Sequence, residues 1–552
     1  MKKLFFALFI IVLGYLSVRP LFVDGFFPVH DNVQIERVYE MSKAVKDGQF
    51  PVRWVKDLGY GYGYPIFNFY SPLPYYLGGV FNLLGFDLIQ STKMMFFVGI
   101  ILAGVTMFLL GRQIWNSWSG GLLSGVLYLY APYHALDIYV RGAVGEFWAM
   151  GFLPLIFLGI DKIGKTDSIR GVLIGILGIA GVILSHNLTS LMMLPFLSLY
   201  TMFVFYETTN KRSFVLKMFC LLILSLAVSC FYWLPALYEM KFTNIFSQVG
   251  GGADFRNHFI FIDQLWDFPW GFGGSAGKES GISYKIGKPN IVLFILAVLF
   301  FIFKIKLFRQ YKAAIFSGLA GFSLAVFMTN KVSLPLWELI GVLSFIQYPW
   351  RHLLFAAFFT SLTAGFVTIF LKKIFQKDLT WLIYLLVLPI VFFHGKYFNP
   401  QYFTFLPADS YTKEEHLNWS ASRVSDEYLL KDFISPKYEI DIPKERISSQ
   451  PNIKITQDTK KTHIEKFLTN GDSFSRVTIN SLNFPGWEVK VDGRKILLSD
   501  STLLTFTIPS GNHLVEAEFK NTFIRSLANL VSIFGLMVLS VILLRLKYAK
   551  SI

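Results

Sequence analysis

Residues 28–76 read PVHDNVQIERVYEMSKAVKDGQFPVRWVKDLGYGYGYPIFNFYSPLPYY. His30 and Asp31 stand just past an apolar run that begins near residue 4. A 3.6-residue period follows, with Val33, Val38 and Met41 on one face and Glu36, Arg37 and Glu40 nearby; it predicts a helix ended by Asp47-Gly48. Beyond Pro51, Arg53 and Trp54, glycines alternate with Tyr60, Tyr62 and Tyr64, which makes a tight backbone lined with amphipathic rings. Such a segment suits a loop at the lipid headgroups or one that stacks on sugar faces; an ordinary aromatic belt is the plainer alternative. The next apolar run, residues 72–90, is broken by Pro72, Pro74, Gly78 and Gly79 and reads as a re-entrant or interfacial helix, as do residues 333–349.

Outward from this segment the chain is apolar. Of 552 residues 54% are hydrophobic, 17% aromatic and only 16% charged, and the mean hydropathy is +0.50. A soluble domain carries roughly 25% charged residues. The composition excludes a soluble enzyme, a disordered tail protein and a nucleic-acid module. Long apolar runs begin near residues 4, 91, 118, 147, 169, 187, 213, 289, 312, 351, 379 and 523, which predicts about 12 spans. The first run follows Lys2 and Lys3 without a small-residue cleavage site, the pattern of an uncleaved anchor.

The net charge of +15 is topological. Short linkers on one side hold 19 bases, from Lys2 and Lys3 through Arg112, Lys312 and Lys377 to Lys550, against the acids Asp161, Asp167, Glu207 and Asp378. Residues 19–57 carry six bases and six acids, residues 236–288 five of each, and residues 395–521 carry 16 bases and 17 acids. The positive-inside rule then places both termini and the short linkers in the cytoplasm of a multi-pass plasma-membrane protein, with residues 395–521 outside. No nucleic-acid partner is implied; the bilayer is the partner. A transmembrane domain over 1–394 contains outer loops 24–90 and 236–288; 395–521 is an outer domain and 522–552 a last helix with a cytoplasmic tail.

The remaining charges sit at predicted membrane boundaries, where an unpaired one is costly. Asp137, Arg141 and Glu146 share the outer loop YHALDIYVRGAVGEF, and Arg351 and His352 open a span from the outer side after SFIQYPW. No acid lies within one helical turn of Arg351, so a lipid phosphate is its expected partner. The inner face has no such cluster, so any chemistry faces outward.

The motifs HD-(x)5-R, FPVRW, GYGYPIFNFYSPLPYYL and RGAVGEF resemble those of a bacterial membrane-protein family labelled 6-pyruvoyl-tetrahydropterin synthase-related, and NFPGWEVKVDGRK at 483–495 is similar to the YfhO-like group. An acidic residue directly after the first span, followed by juxtamembrane helices, also resembles the first outer loop of GT-C glycosyltransferases. Pterin chemistry itself is excluded, because nine scattered histidines form no spaced zinc-ligand set. The resemblance implies an all-α GT-C-like membrane fold and transfer of a sugar from a polyprenyl-phosphate donor to an envelope glycan or lipid. It makes Asp31 the general base of an inverting reaction, with His30 either orienting it or joining a site for acceptor or metal. Arg351, His352 and Arg141 are then the phosphate-binding candidates. Asp137 and Glu146 are candidates for a second acid that holds Mg²⁺ or Mn²⁺ in some such enzymes, although no DxD pair is present. Arg53, Tyr62, Tyr64 and Tyr70 are the substrate-lining candidates. His186-Asn187 reads as a polar turn at a helix end.

Toward the C-terminus VTIN, WEVKV, LLTFTI and HLVEAEF alternate apolar and polar residues, and Asp492-Gly493 marks a hairpin, which predicts a small outer β domain. A lipid-linked glycan flippase and a non-catalytic envelope-assembly subunit are the competing functions. No internal repeat of the transporter kind is found.

Overall fold

The computed structural model describes residues 2–274, 281–376 and 380–548. Lys377, Asp378 and Lys550, which entered the charge reading above, lie outside the described residues. The chain divides into two compact units.

The first unit comprises Met1–Asp31, Lys93–Leu226 and Gln248–Phe405. It is helical because its sequence is a series of apolar runs with no water to satisfy an open backbone. Its centre is Val144–Thr166, a 23-residue helix whose apolar window is wholly buried. The neighbouring helix Ile169–Ser185 approaches it closely through glycines. A Cβ on Gly159 would lie 2.7 Å from the Gly171 carbonyl oxygen and 2.7 Å from the Gly175 Cα. Without a hydrophobic drive between helices in lipid, such small residues set the packing. The helix Leu353–Ala364 is buried along its whole length, and Phe355 stacks on Phe196 at 4.0 Å between ring centres.

The span count differs from the sequence expectation. Six helices among the described residues are long and apolar enough to cross a membrane: Leu88–Trp115, Val144–Thr166, Asn187–Glu207, Arg309–Thr329, Pro349–Phe375 and Phe523–Lys547. The pair Lys211–Val228 and Cys230–Phe242 adds a seventh if it counts as one span. The expected 12 is therefore corrected. Each run does form helix, but Leu8–Ser17, Ile169–Ser185, Lys288–Phe303 and Tyr384–Gly395 are 10–17 residues long, and Trp118–Leu129 has 12. Hydropathy registers apolar content and not where a helix stops, and a full crossing needs about 20 residues.

The second unit comprises Asn32–Thr92, Ala227–Ser247 and Leu406–Ile552. The expected first-loop helix is Gln34–Lys46, and it buries Val38 and Met41 as its period requires. It also buries Glu36, Arg37 and Glu40, so its polar side is not a solvated face. Residues 72–90 supply only the 11-residue helix Leu73–Leu83 before Leu88–Trp115 begins.

Among the described residues eight strands complete this unit: β1 Ile447–Gln450, β2 Lys454–Lys460, β3 Ile464–Gly471, β4 Ser475–Leu482, β5 Trp487–Val491, β6 Arg494–Lys495, β7 Leu503–Ile508 and β8 Gly511–Phe519. They form two antiparallel sheets, ordered β1-β4-β7 and β2-β3-β8-β5-β6. The β5–β6 hairpin turns at Asp492 and Gly493, with φ of 50° and 78°, the left-handed pair that a two-residue turn needs. Pro509-Ser510 carries the chain from one sheet to the other. The last helix, Phe523–Tyr548, is fixed near its start by Arg525, which is fully buried against Glu239 at 2.9 Å.

Candidate functional site

The loop of Asp137, Arg141 and Glu146 is built around a change of helical pitch. Pro132–Leu136 is a short α-helix, Asp137–Arg141 continues it as a π-helical turn, and Gly142 leaves it at φ 65°. Glycine is required there: a Cβ would sit 2.5 Å from a Val29 methyl and 3.3 Å from the Asp31 carbonyl oxygen. The close approach lets the first outer segment pair with the turn. The His30 amide donates to the Val140 carbonyl and the Asp31 amide to the Arg141 carbonyl, both at 2.9 Å. The end of the first helical segment is thereby tied to the charged loop.

Glu146, in the first turn of Val144–Thr166, is the hub and is 1% exposed. Its Oε2 lies 2.9 Å from Arg141 Nη2 and 3.5 Å from Arg351 Nε, both in ion-pair range without hydrogen-bond geometry. Its Oε1 accepts from the Tyr133 hydroxyl at 2.5 Å. Arg141 also reaches Asp137 Oδ1 at 2.5 Å and lies over the Trp350 ring at 4.7 Å. Arg351 Nη1 donates to the Ile346 carbonyl at 2.8 Å and faces Gln347 Oε1 at 3.4 Å. Gln347 itself is left-handed (φ 64°), a strained conformation of the kind that collects at functional sites.

The expectation that Arg351 lacks a protein acid is corrected: its partner is Glu146, 205 positions away in sequence. Burial raises the Asp137 carboxyl well above its usual range, and the Glu146 carboxylate adds to the rise against the opposing pull of Arg141. The two guanidiniums thus converge on Glu146, and Arg141 also holds Asp137.

His30 is exposed and its Nε2 donates to the Phe272 carbonyl at 2.9 Å; Asp31 is half-buried. His352 is 1% exposed, donates through Nδ1 to the Pro349 carbonyl and packs edge-on to Trp337. Arg53, Tyr62, Tyr64 and Tyr70 belong to the second unit. Arg53 is buried and donates to Asn68 Oδ1, the Phe231 carbonyl and Asn529 Oδ1. Tyr64 is buried and its hydroxyl accepts from the Tyr428 amide. Tyr62 packs on Phe433, and Arg37 lies over Tyr70 at 4.3 Å.

Two residues at the cluster, Tyr133 and His186, whose ring carbon Cδ2 would lie 3.3 Å from a Cβ on Gly145, were not singled out by sequence as site residues. Tyr133 carried no signal beyond its nearness to Asp137. His186 did, as part of the polar turn His186-Asn187 between two apolar runs.

The donor set does not fit a divalent cation. Asp137 and Glu146 are both engaged by Arg141, so a cation would have to displace a guanidinium. Among the described residues no group of three or more His, Cys, Asp or Glu is placed to hold one. A cavity of about 210 Å³ lies elsewhere, lined by Asp161, Lys165, Tyr200, Glu207 and Tyr311. Asp161 is fifteen residues beyond Glu146 on one helix, about 22 Å along its axis. That cavity is not where the charges of the loop converge.

Residues 67–250 match the family model described as 6-pyruvoyl-tetrahydropterin synthase related domain, membrane protein. The chain is a membrane protein. The resemblance read from the motifs is borne out at the level of that domain, which contains Asp137, Arg141, Glu146 and His186, whereas Asp31 and Arg351 lie outside it. The chain is also 28% identical over 351 residues to an uncharacterized protein of Lactococcus lactis subsp. cremoris (strain MG1363), covering 61% of this chain and 55% of that one. It therefore spans about half the length of the curated relative it matches. Among solved structures, the apo form of the Archaeoglobus fulgidus oligosaccharyltransferase aligns with a TM-score of 0.44 at 14% identity, over 78% of this chain and 60% of that chain. Its complex with Zn and sulfate gives 0.41 at 12%, over 79% and 58%.

Proposed function

We propose that the protein is an integral membrane glycosyltransferase that moves a sugar from a polyprenyl-phosphate donor to a cell-envelope glycan or lipid acceptor on the outer face of the plasma membrane. The observation that carries this reading is the convergence of Arg141 and Arg351 on Glu146, in a loop to which the Asp31 backbone is tied. The motif resemblance to GT-C enzymes supports it.

In this mechanism Asp31 accepts the proton of the acceptor hydroxyl as that oxygen attacks the anomeric carbon. The bond from that carbon to the phosphate oxygen breaks, and its electron pair leaves with the phosphate. Inversion follows from a single displacement. The guanidiniums meet the charge that develops on the departing phosphate. Both termini are cytoplasmic and residues 395–521 lie outside. Asp31→Asn keeps the shape but removes the proton acceptor, and transfer should fall by about 10²–10⁴-fold while donor binding survives. Near-normal turnover in that variant overturns the assignment.

A further inference from the structure

His186 stands between the helices Ile169–Ser185 and Asn187–Glu207 and caps the second of them. The Thr189 amide donates to its Nδ1 at 3.2 Å, and the Thr189 hydroxyl is 2.7 Å from the same atom. A backbone N–H only donates, so Nδ1 must present its lone pair and the hydroxyl must donate as well. The single ring proton is thereby placed on Nε2. Protonating Nδ1 would set N–H against N–H and break the cap, and it would add charge at the positive end of a 21-residue helix. Burial lowers the imidazole further, to about 3, against the pull of Glu146.

The ring lies beside the charged loop. A Cβ on Gly145 would be 3.3 Å from His186 Cδ2, the carbon bonded to Nε2, and Glu146, Arg141 and Arg351 all act on the ring electrostatically. Nε2 makes no hydrogen bond among the described residues, and the residue is half-buried rather than sealed. A neutral imidazole held in one tautomer at a helix N-terminus is a fixed hydrogen-bond donor, and the same physics lets such groups polarise developing charge elsewhere.

We propose that the His186 Nε2–H is a third donor to the phosphate of a lipid-linked substrate, beside Arg141 and Arg351. The proposal rests on the glycosyltransferase reading of the same site. Its chemistry is complementary to the arginines: they supply charge, and the imidazole supplies direction at no cost in added charge.

The test uses the full chain in detergent, with dodecyl phosphate as the probe and binding measured at pH 8. His186→Asn retains a preferred capping residue, so the helix start survives and an unchanged unfolding temperature verifies it. The variant should bind dodecyl phosphate about 10- to 100-fold more weakly, the loss of one hydrogen bond to a charged group. Arg351→Lys, run beside it, should also weaken binding. If Arg351→Lys weakens binding and His186→Asn matches wild type, the His186 role is wrong and the site reading stands. If neither changes affinity, the site reading fails as well. Inorganic phosphate at the same concentration should not bind, and equal binding by it contradicts the lipid assignment. In wild type labelled with ¹⁵N-histidine, and assigned by the loss of a signal in His186→Asn, the ring should remain the Nε2–H tautomer from pH 5 to 8, with Nε2–H shifting when dodecyl phosphate is added. A ring that titrates in that range, or does not respond to the probe, refutes the proposal.

Discussion

Glu146→Gln removes one charge at nearly constant volume from the point where two buried guanidiniums meet. At an effective dielectric of about 20, a pair 3.5 Å apart such as Arg351 and Glu146 attracts by about 4–5 kcal/mol before desolvation is counted. The Arg141 pair at 2.9 Å is tighter. Removing one partner of a buried pair typically costs about 3–5 kcal/mol, because the remaining charges stay buried and uncompensated. Here Arg141 and Arg351 are only 8% and 12% exposed and would also repel each other. The variant should therefore unfold several degrees below wild type. If the cluster is an anion site, a phosphate should replace the lost carboxylate. Dodecyl phosphate should bind Glu146→Gln more tightly than wild type and, at 100 times its dissociation constant, restore about 2.7 kcal/mol. Thermal unfolding in detergent with and without the probe reads both effects. An unfolding temperature equal to wild type, or identical stabilisation of both proteins by the probe, refutes the reasoning.

Other expectations follow from the same structure. Glu465 is buried, which by itself would raise its pKa, but Arg446 and Lys56 hold it below the usual carboxylate range. A carboxylate with a depressed folded pKa stabilises above its unfolded value near 4.5 and loses that contribution as pH falls through the folded value. Wild type should therefore lose stability on acidification below about pH 4.5, and Glu465→Gln, less stable at neutral pH, should show a flatter profile; parallel profiles contradict it. Glu239→Gln should weaken the anchoring of Arg525 by about 3–5 kcal/mol, read in the same unfolding assay, with an unchanged midpoint as the contrary result. Protease added to intact spheroplasts should cut within residues 395–521; cleavage there only after lysis reverses the topology.

Much of the fold was legible because lipid imposes a simple rule: apolar runs become helix, and each did. The number of crossings was not, since helix ends are set by local breaks such as the one after Leu129 that hydropathy averages over. In the β region, β4, β5, β7 and β8 were readable from strict alternation and from Asp492-Gly493. The strands β1, β2 and β3 were not, because KITQDTK and IEKFLTNG carry too many polar residues to show a buried face. The charged loop was legible since Asp137, Arg141 and Glu146 lie within ten residues of one another. The contact of Arg351 with Glu146 was not, because partners 205 positions apart leave no trace in a single sequence. Arg53 shows the same limit. Its place in a polar network with Asn68, Phe231 and Asn529 comes from three distant segments.

The most direct measurement is transfer itself. Purified protein would be given a panel of polyprenyl-phosphate sugars with envelope glycan and lipid acceptors, and the product's anomeric configuration read by NMR. The account predicts a glycoside of configuration opposite to that of the donor, with free polyprenyl phosphate released in equal amount and both formed about 10²–10⁴-fold more slowly by Asp31→Asn. Retained configuration, or product formed equally by Asp31→Asn, would contradict it.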